Sequence, residues 1–420
     1  MDAAFDIVVV GAGMVGATIA CGLARSGLKV AIVDPAAPPP YVESEAPHIR
    51  VSAISFASEQ VLRHVGAWAH IETKRICPYR RLAVNEMPVE KGLASLLPNI
   101  STWAKTEFDA QSIGKTHLGH IIENDVIQGG LHEAMKTCDQ LSVFCPDTLV
   151  DMNLAGEQKN LKLLTQGNIT ASLVIGADGA QSKVRETADI GQYREQYAQQ
   201  AFVCTVAYRG AQEDITWQSF TSHGPMAFLP LADSGHEHFA SLVWYDLPDQ
   251  TKKLCELDAP ALLKTLQRCY PPNLPPLERI VDRARFPLYK SHALRYVKPG
   301  IALAGDAAHT INPLAGQGVN LGFMDAAALI ETLAQAAMTG KNIASLKVLT
   351  QYERSRRFEN QAMMSLMDAF YYGFSNDRLP LRILRNAGLG LANHSGFVKD
   401  KVMQYAIGAK GKLPKLAKPV

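Results

Sequence analysis

Cysteine is scarce in this chain, and its thiols follow no ligand pattern. The 420 residues contain 7 cysteines, and no two of them have the Cys-x-x-Cys spacing of a zinc site or a redox dithiol. An odd number of scattered thiols is typical of a reducing compartment, so we expect a cytoplasmic protein. His236 and His238 have His-x-His spacing, but no further ligand lies near them in the sequence. We therefore predict the tip of a hairpin there and no metal site.

An excess of one charge is also absent. The net charge of +2 at pH 7 argues against an extended nucleic-acid-binding surface. Hydrophobic residues at 47% and charged residues at 20% are ordinary for a soluble globular protein, and the length allows two or three domains. The uncharged run at residues 7–24 contains four glycines, is preceded by Asp2 and Asp6, and has no basic N-terminal region. We therefore predict neither a signal peptide nor a membrane helix there.

A glycine-rich turn joins the first predicted strand, residues 6–10, to a predicted helix. Gly11, Gly13 and Gly16 have GxGxxG spacing, and Asp34 closes the next predicted strand. The glycines let the backbone approach a pyrophosphate at the helix N-terminus, and the acidic residue can accept hydrogen bonds from ribose hydroxyls. The strand–turn–helix–strand setting predicts an adenine dinucleotide, with FAD or NAD favoured over NADP.

A second glycine-rich stretch, residues 301–323, follows another predicted buried strand. It places Asp306 at the end of that strand and Gly316 and Gly318 at the start of a long predicted helix. A carboxylate followed by unpaired backbone N–H groups suits the ribityl hydroxyls and the pyrimidine edge of a flavin. A turn that only packs is the alternative, and the length of the stretch favours the flavin.

Four further polar residues are candidates for the same cofactor. Asp178, at the end of a predicted strand, could organise a phosphate-binding loop with Arg185 on the helix that follows, or could belong to a plain connection. Arg50 could lie over phosphates or form a surface salt bridge, and we leave both interpretations open. Asn124 lies near the start of a helix predicted at residues 120–134.

A second domain is predicted between the dinucleotide-binding segments. Segments 201–209, 217–231 and 238–244 alternate in the manner of antiparallel strands. Phe220, Phe228 and Leu229 could line an apolar pocket or could simply be core. The tail from Arg378 combines leucines with arginines and ends in lysines, so it could lie on an anionic membrane, bind a partner, or pack as a terminal helix.

Together, the GxGxxG unit, the central Asp-Gly unit and GDAAH…PxxGQGxN resemble the single-component flavoprotein aromatic hydroxylases over essentially the whole chain. The segment GDAAHTINPLAGQGVNLG is similar to that of the ubiquinone-biosynthesis hydroxylases. Segments 78–82, 216–231, 241–248 and 371–382 most resemble the branch that acts late in that pathway. One departure is Asp34, where the family more often has Glu, which shortens the reach to the ribose.

The resemblance implies an α/β fold: a Rossmann-like FAD-binding domain with an inserted antiparallel-sheet substrate domain and a helical C-terminal region. We expect the FAD-binding domain at residues 1–75, 106–188 and 294–346. The substrate domain is expected at 76–105 and 189–293, and the helical region at 347–420.

The resemblance also assigns site residues. Residues 178–185 would serve both FAD and transient NAD(P)H, and Pro313 would lie beside the flavin ring. The backbone amides of residues 316–320 would stabilise the reduced, anionic flavin. His309 is the nearest ionisable candidate for proton handling, with a structural role as the alternative. The implied FAD contacts are Gly11, Gly13, Val15, Gly16, Asp34, Arg50, Asn124, Asp306, Gly318, Val319 and Asn320.

The implied activity is an FAD-dependent monooxygenase that uses NAD(P)H and O2 to hydroxylate a prenylated phenol or quinol. A flavin reductase and a non-catalytic flavin-binding subunit of a lipid-biosynthesis complex are the alternatives. A halogenase is weakly supported, because the tryptophans at 68, 103, 217 and 244 form no Trp-x-Trp pair. Peripheral association with the inner membrane or with a biosynthetic complex is compatible with the predicted cytoplasmic location. The oligomeric state, the ring position and the prenyl length are left open.

Overall fold

A computed structural model describes residues 3–43, 45–86, 106–221, 224–234, 237–270, 274–312, 316–374, 403–404 and 412–419. In these residues the chain combines three sheets with helices that cover them. The predicted α/β class is confirmed. Pro313, His236 and the basic tail from Arg378 lie outside the described residues.

The strands are numbered in chain order. They are β1 Ala3–Val10, β2 Val30–Val33, β3 Val51–Ser55, β4 Ile76–Tyr79, β5 Arg81–Glu86, β6 Thr106–Asp109, β7 Gly119–Glu123, β8 Leu141–Phe144, β9 Leu149–Asn153, β10 Lys159–Leu163, β11 Gly167–Gly176, β12 Gln192–Tyr208, β13 Ile215–Thr221, β14 Gly224–Pro230, β15 His238–Asp246, β16 Leu277–Ala293, β17 Val297–Lys298, β18 Ile301–Leu303 and β19 His309–Thr310.

The α-helices are numbered in the same way. They are α1 Met14–Arg25, α2 Phe56–His64, α3 Trp68–Ile71, α4 Asn124–Met135, α5 Lys183–Thr187, α6 Pro248–Glu256, α7 Ala259–Cys269, α8 Gln317–Met338 and α9 Leu346–Phe374. Short 3-10 helices lie at Ala110–Ile113, Gly305–Ala307 and Lys415–Ala417.

The first sheet brings the three sequence motifs to one edge. Its order is β17-β18-β11-β1-β2-β8, and β1 pairs in parallel with both β2 and β11. Val10 pairs with Gly176, and Gly176 pairs with Leu303 across the parallel pair of β11 and β18. The turns that follow these three residues therefore leave the sheet side by side. Ligands of open parallel sheets bind at this carboxyl edge.

The second sheet is mostly antiparallel, with the order β19-β16-β12-β15-β14-β13-β5-β6. Side chains of β12 and β15 alternate between its two faces. On one face, Phe202 and Leu242 pack beneath α6 and α7. On the other face, Val203 and Val243 join a cluster with Met367 of α9. The long strands thus form a two-sided layer of which one side meets the C-terminal helix.

Several boundaries differ from the sequence predictions. The helix predicted at 120–134 begins as strand β7 and becomes helical only at Asn124. Two strands cross the predicted domain limits, because β4 pairs with β7 in the small sheet and β6 pairs with β5 in the large one.

The apolar run at residues 7–24 is divided between β1 and α1. Among the described residues, one helix, Gln317–Met338, is long and apolar enough to cross a membrane by length and composition. Its most apolar window is 67% buried inside the protein. This is the pattern of a central helix in a folded core, and α8 packs against α1 and α9.

Candidate functional site

The first turn of the site is packed too tightly for any residue but glycine. Gly11 has a φ of +102°, and a Cβ there would lie 2.4 Å from the carbonyl oxygen of Ala177. A Cβ on Gly16 would lie 1.9 Å from the carbonyl oxygen of Gly11. These contacts press the turn after β1 against the turn after β11, and they seat the first turn of α1 directly above the strand.

The N-terminus of α1 is open toward the edge of the sheet. Gly13 is the N-cap residue and provides no side-chain hydrogen bond to the first turn. An added Cβ on Gly13 would meet nothing closer than 3.8 Å, so space remains beside these N–H groups. The first turn also lacks acidic residues. Unpaired N–H groups, the helix dipole and free space together fit a pyrophosphate.

Asp34 lies at the end of β2 with both carboxylate oxygens oriented by the backbone. Its Oδ2 accepts from the Ala12 N–H at 2.7 Å, and its Oδ1 accepts from the Ala36 N–H at 2.9 Å. A carboxylate oxygen can accept more than one hydrogen bond, so both retain capacity for a ribose hydroxyl. The Asp34 geometry therefore fits the predicted sugar contact despite the side chain being shorter than that of Glu.

The turn after β11 is joined to the third motif by Arg185. Its Nη1 donates to the carbonyl oxygen of Ala307 at 2.9 Å, and its Nη2 donates to Ala180 at 3.0 Å. Desolvation lowers the pKa of this buried guanidinium. Asp178 Oδ2 accepts from the Val184 N–H at 3.1 Å, whereas its buried Oδ1 has no hydrogen-bond partner among the described residues. The contacts give Arg185 a bridging role and leave Asp178 with acceptor capacity.

Asp306 lines a crevice beside these turns. Its side chain is accessible to solvent although protein surrounds it, which is the situation of a residue inside a concave site. Desolvation by the surrounding protein raises the pKa of the carboxyl, and His309 and Arg50 act in the opposite direction. Arg50 is exposed, with its guanidinium 5.6 Å from the centre of the Phe286 ring. Its carbonyl oxygen accepts from the Asn124 N–H at 2.9 Å.

The start of α8 is fixed from behind by one amide side chain. Asn320 Nδ2 donates to the carbonyl oxygens of Ala53 and Gly316, each at 2.8 Å. Its Oδ1 accepts from the Ser55 N–H at 2.9 Å and from the Ser58 hydroxyl at 2.7 Å. The side chain is therefore fully engaged within the protein.

The face of this helix start that is turned to the crevice is open. Gly316 is the N-cap residue, with a φ of +62° and no side-chain hydrogen bond to the first turn. An added Cβ on Gly318 would meet no atom within 4 Å. Val15 closes the inner side, since a Cβ added to Gly305 would lie 3.1 Å from its Cγ2 and one added to Gly322 would lie 2.6 Å from it. Unpaired N–H groups of residues 317–319 thus border free space, as a flavin pyrimidine edge requires.

His309 is buried and paired with a carboxylate that the sequence analysis did not identify. Its Nε2 lies 2.5 Å from Asp325 Oδ2, and the two side chains are 1% and 0% exposed. Asp325 Oδ1 accepts from Arg356 Nε at 2.9 Å and from Asn360 Nδ2 at 3.0 Å. Its Oδ2 also accepts from the Gly305 N–H at 3.2 Å. This network holds the Gly-Asp turn and supports the structural interpretation of His309.

The state of Asp325 follows from these partners. Burial opposes its ionisation, but His309, Arg356 and Asn360 together outweigh burial and lower the pKa to about 2. The carboxylate is therefore charged at neutral pH and neutralised within the core. An acidic residue inside an apolar helix was the one sequence signal for this role, since α8 is otherwise rich in Ala, Leu and Gly.

The three predicted substrate residues do not share one face of the sheet. Phe228 is fully buried in the cluster beneath α6 and α7, on the face turned away from the flavin turns. Its burial there supports the alternative interpretation of Phe228 as a core residue, and Leu229 points to the opposite face because neighbouring side chains of a strand alternate. Leu229 packs instead against a different cluster, which Ala53 of β3 also borders. Phe220 pairs with Pro225 and so has the same parity as Leu229.

An apolar cluster that sequence reasoning missed borders the third motif. Ile311 and Leu321, on either side of the flavin loop, pack with Tyr197, Met367 and residues of the large sheet. Tyr197 precedes Ile311 by 114 residues and Met367 follows Leu321 by 46 residues, so local spacing gave no sign of the cluster. Pro313, predicted beside the flavin ring, lies outside the described residues.

The comparisons with known proteins agree with this geometry. Residues 4–366 match the family described as FAD binding domain. Over 403 residues the chain is 41% identical to 3-demethoxyubiquinol 3-hydroxylase of Escherichia coli, covering 96% of this chain and 98% of that protein. It is 33% identical to the mitochondrial ubiquinone biosynthesis monooxygenase COQ6 of Homo sapiens, covering 96% and 93%.

Among solved structures, p-nitrophenol 4-monooxygenase PnpA of Pseudomonas putida matches with a TM-score of 0.76 at 17% identity, covering 97% of this chain and 99% of that chain. At this identity the match supports the shared fold alone. The predicted family, the monooxygenase class and the FAD cofactor are confirmed. The chain therefore belongs to the FAD-binding-domain family of flavoprotein aromatic-ring monooxygenases.

Proposed function

We propose that this chain hydroxylates the ring of a prenylated quinol in ubiquinone biosynthesis, and that demethoxyubiquinol is the substrate. The observation that carries the proposal is the 41% identity to 3-demethoxyubiquinol 3-hydroxylase over nearly the full length of both chains. The family match at residues 4–366 includes the flavin turns and the strands of the large sheet. A reaction at another ring position of the same pathway is the second candidate, since COQ6 relatives match over the same region.

The described residues supply binding and orientation. Asp34 and the N-terminus of α1 would hold the adenosine and pyrophosphate, Asp306 would hold the ribityl chain, and residues 317–319 would face the flavin pyrimidine. The bound cofactor would supply the redox chemistry, which is hydride acceptance from NAD(P)H and activation of O2. A quinol ring is already electron-rich, so the site does not need a strong base.

The apolar cluster around Ile311 is suited to a hydrophobic substrate. Ile311, Leu321 and Met367 are buried between the flavin loop, the large sheet and α9. A prenylated ring that lies beside the flavin would contact this apolar wall and exclude water from the reacting carbon. A small polar phenol would gain little from the same contacts.

One experiment separates the candidate reactions. The purified yellow protein is given NAD(P)H, isotopically labelled O2 and a short-tailed demethoxyquinol, with 4-hydroxybenzoate as the polar control. We expect one labelled oxygen atom in the quinol product and little product from the control. Flavin reduction without labelled product would indicate a reductase, and a flavin that NAD(P)H does not bleach would indicate a binding subunit. A labelled product at a different ring carbon would select the second candidate.

We also propose a cytoplasmic protein that associates peripherally with the membrane that holds its substrate. Two observations support this proposal. A prenylated quinol is hydrophobic and partitions into membranes, and the sequence after residue 377 is rich in arginine and lysine. Flotation with anionic and with neutral vesicles tests this. Binding to anionic vesicles that is lost at high salt is expected, and equal failure with both vesicle types would contradict the proposal.

A further inference from the structure

A second cluster of chemically active side chains lies outside the flavin crevice. Glu59 of α2, His117 in the loop before β7, and His120 of β7 each offer one ligand atom, and these atoms lie within 4.8 Å of one another. Glu59 and His120 are 3% and 6% exposed, and the His117 side chain is 17% exposed. The cluster is thus largely shielded from solvent, and an ion could reach it on the side of His117.

The three side chains converge on a single oxygen atom. Glu59 Oε1 accepts from Arg63 Nε at 2.8 Å, which leaves Oε2 for the histidines. Oε2 lies 2.8 Å from His117 Nε2 and 3.4 Å from His120 Nδ1. His120 Nδ1 nevertheless makes no hydrogen bond of acceptable geometry among the described residues. A buried ring nitrogen without a partner is costly, so this atom points to a missing ligand.

We propose that Glu59, His117 and His120 bind a divalent transition metal of the zinc class. Zinc prefers imidazole and carboxylate ligands, and four ligands about 2.0–2.1 Å from the ion lie about 3.3–3.4 Å apart in tetrahedral geometry. The oxygen–nitrogen separation of 3.4 Å to His120 already has this value, and the separation of 2.8 Å to His117 has to open by only about half an ångström. A water molecule completes the set.

The surroundings are compatible with added positive charge. Arg63, which pairs with Glu59, is shared with Glu72, whose carboxylate lies 3.6 Å from Arg63 Nη2. Thr116 Oγ1 lies 2.9 Å from His117 Nδ1 and can orient the imidazole so that Nε2 faces the ion. The soft thiolate ligands that select copper(I) are absent from the cluster, and oxygen-only cations such as Mg²⁺ and Ca²⁺ do not match two imidazoles.

The position in the fold gives the ion a structural role. Glu59 lies on α2, whose N-terminal Ser55 and Ser58 hydrogen-bond to Asn320 at the start of the flavin helix. His120 lies on β7, which pairs with β3. An ion that joins α2 to β7 would brace the elements that support Asn320 from behind, without touching the flavin.

The test uses the FAD-loaded protein after treatment with a chelator. Zn²⁺ is titrated against a competing chromophoric chelator, and Co²⁺ is used as a spectroscopic probe at wavelengths beyond the flavin absorption. We expect one Zn²⁺ per chain, a higher melting temperature with Zn²⁺, and no effect of Mg²⁺ or Ca²⁺. His117→Gln should weaken Zn²⁺ binding by more than about a hundredfold, since changes even to groups behind the ligands cost roughly 10–100-fold.

His64→Gln is the matched control, because His64 lies on the same helix and its Nδ1 is 2.9 Å from the carbonyl oxygen of Gln60. It should bind Zn²⁺ as the parent does. Flavin absorbance reports whether each variant is folded. His117→Gln is chosen over Glu59→Gln because His117 is partly exposed and Glu59 is buried, so the change at His117 disturbs the fold less. Absence of stoichiometric Zn²⁺ binding by the parent, or equal binding by His117→Gln, would overturn the proposal.

Discussion

The carboxylate of Asp325 supports the flavin loop, and its replacement should be among the most destabilising single changes in the chain. Asp325→Asn keeps the shape of the side chain but removes its charge. Arg356, which is 5% exposed, then retains a buried guanidinium without a counterion. On the other side, an amide NH2 at the Oδ2 position would face the Gly305 N–H, so that two donors would meet.

The expected magnitude follows from burial. Breaking a buried ion pair by neutralising one partner costs about 3–5 kcal/mol, because the other charge stays desolvated and unpaired. We expect the free energy of unfolding of Asp325→Asn to fall by this amount at pH 7. Urea unfolding followed by far-UV circular dichroism measures the change, with release of FAD recorded in the same titration.

Two comparisons identify the ion pair as the cause. Glu157→Gln removes an exposed carboxylate that lies outside the flavin site, so it should change stability by less than about 0.5 kcal/mol. The double variant Asp325→Asn/Arg356→Gln should lose less than the sum of the two single variants. A loss below about 1 kcal/mol for Asp325→Asn, or additive losses in the cycle, would refute the reasoning.

The pH dependence provides an independent check on Asp325. Its pKa is about 2 in the folded protein and about 3.9 in an unfolded chain. Between these values the unfolded state takes up a proton that the folded state does not, so the contribution of Asp325 is fully present above pH 4 and is lost as the pH falls toward 2. The variant should lack this part of the acid-induced loss, and identical acid profiles would contradict it.

Four further outcomes are expected. Gly16→Ala places a Cβ 1.9 Å from a backbone oxygen and should abolish FAD retention, measured by flavin absorbance, whereas Gly129→Ala, where a Cβ meets nothing within 4 Å, should retain it. Asp306→Asn should weaken FAD binding by roughly 10–100-fold in equilibrium dialysis, since hydrogen bonds to a charged acceptor contribute about 1.5–3 kcal/mol. Burial and the nearby charge of His309 lower the pKa of His292 to about 4, below the unfolded value of about 6.5. The parent should therefore lose stability as the pH falls from 6.5 to 4, and His292→Gln should not show this loss. Identical profiles of stability against pH for the parent and the variant would exclude this assignment. Phe228→Ala should reduce the free energy of unfolding by about 3–5 kcal/mol and leave the KM for the quinol unchanged. A raised KM would indicate that Phe228 contacts the substrate.

The flavin turns could be predicted because their requirements are local. Gly11 and Gly16 are dictated by contacts within the turn and with its neighbouring strand, and the parallel strands before each motif are continuous apolar runs. The three motifs meet because the carboxyl ends of these parallel strands share one edge of the sheet. Sequence spacing was sufficient for this part of the site.

The supports behind the turns could not be predicted in this way. Asp325 meets Arg356 and Asn360 only because α9 packs on α8, and those partners are 31 and 35 residues away. Glu59 and His117 are 58 residues apart and meet through the packing of α2 on β7. Pairings of this kind depend on tertiary contacts, which no local pattern encodes.

The choice of face in the large sheet shows a related difficulty. Alternation along β14 correctly indicates that Phe228 and Leu229 point to opposite sides, but both sides of this sheet are covered. An apolar residue therefore does not reveal which layer covers it. The boundary between strand β7 and the helix at Asn124 was missed for a similar reason. The four residues 120–123 are too few to distinguish the two-residue period of a strand from the 3.6-residue period of a helix.

The polar residues of α8 explain how an apolar helix can serve a cofactor site. By length and composition α8 could cross a membrane, yet Asn320 and Asp325 lie buried within it. Asn320 fixes the first turn through β3 and α2, and Asp325 fixes the Gly-Asp turn through His309 and the backbone of Gly305. Because these side chains satisfy one another inside the protein, the backbone N–H groups of the first turn are left free on the crevice side. A Gly-rich turn that only packed would need neither buried side chain, so their presence distinguishes a preorganised binding site from an ordinary connection.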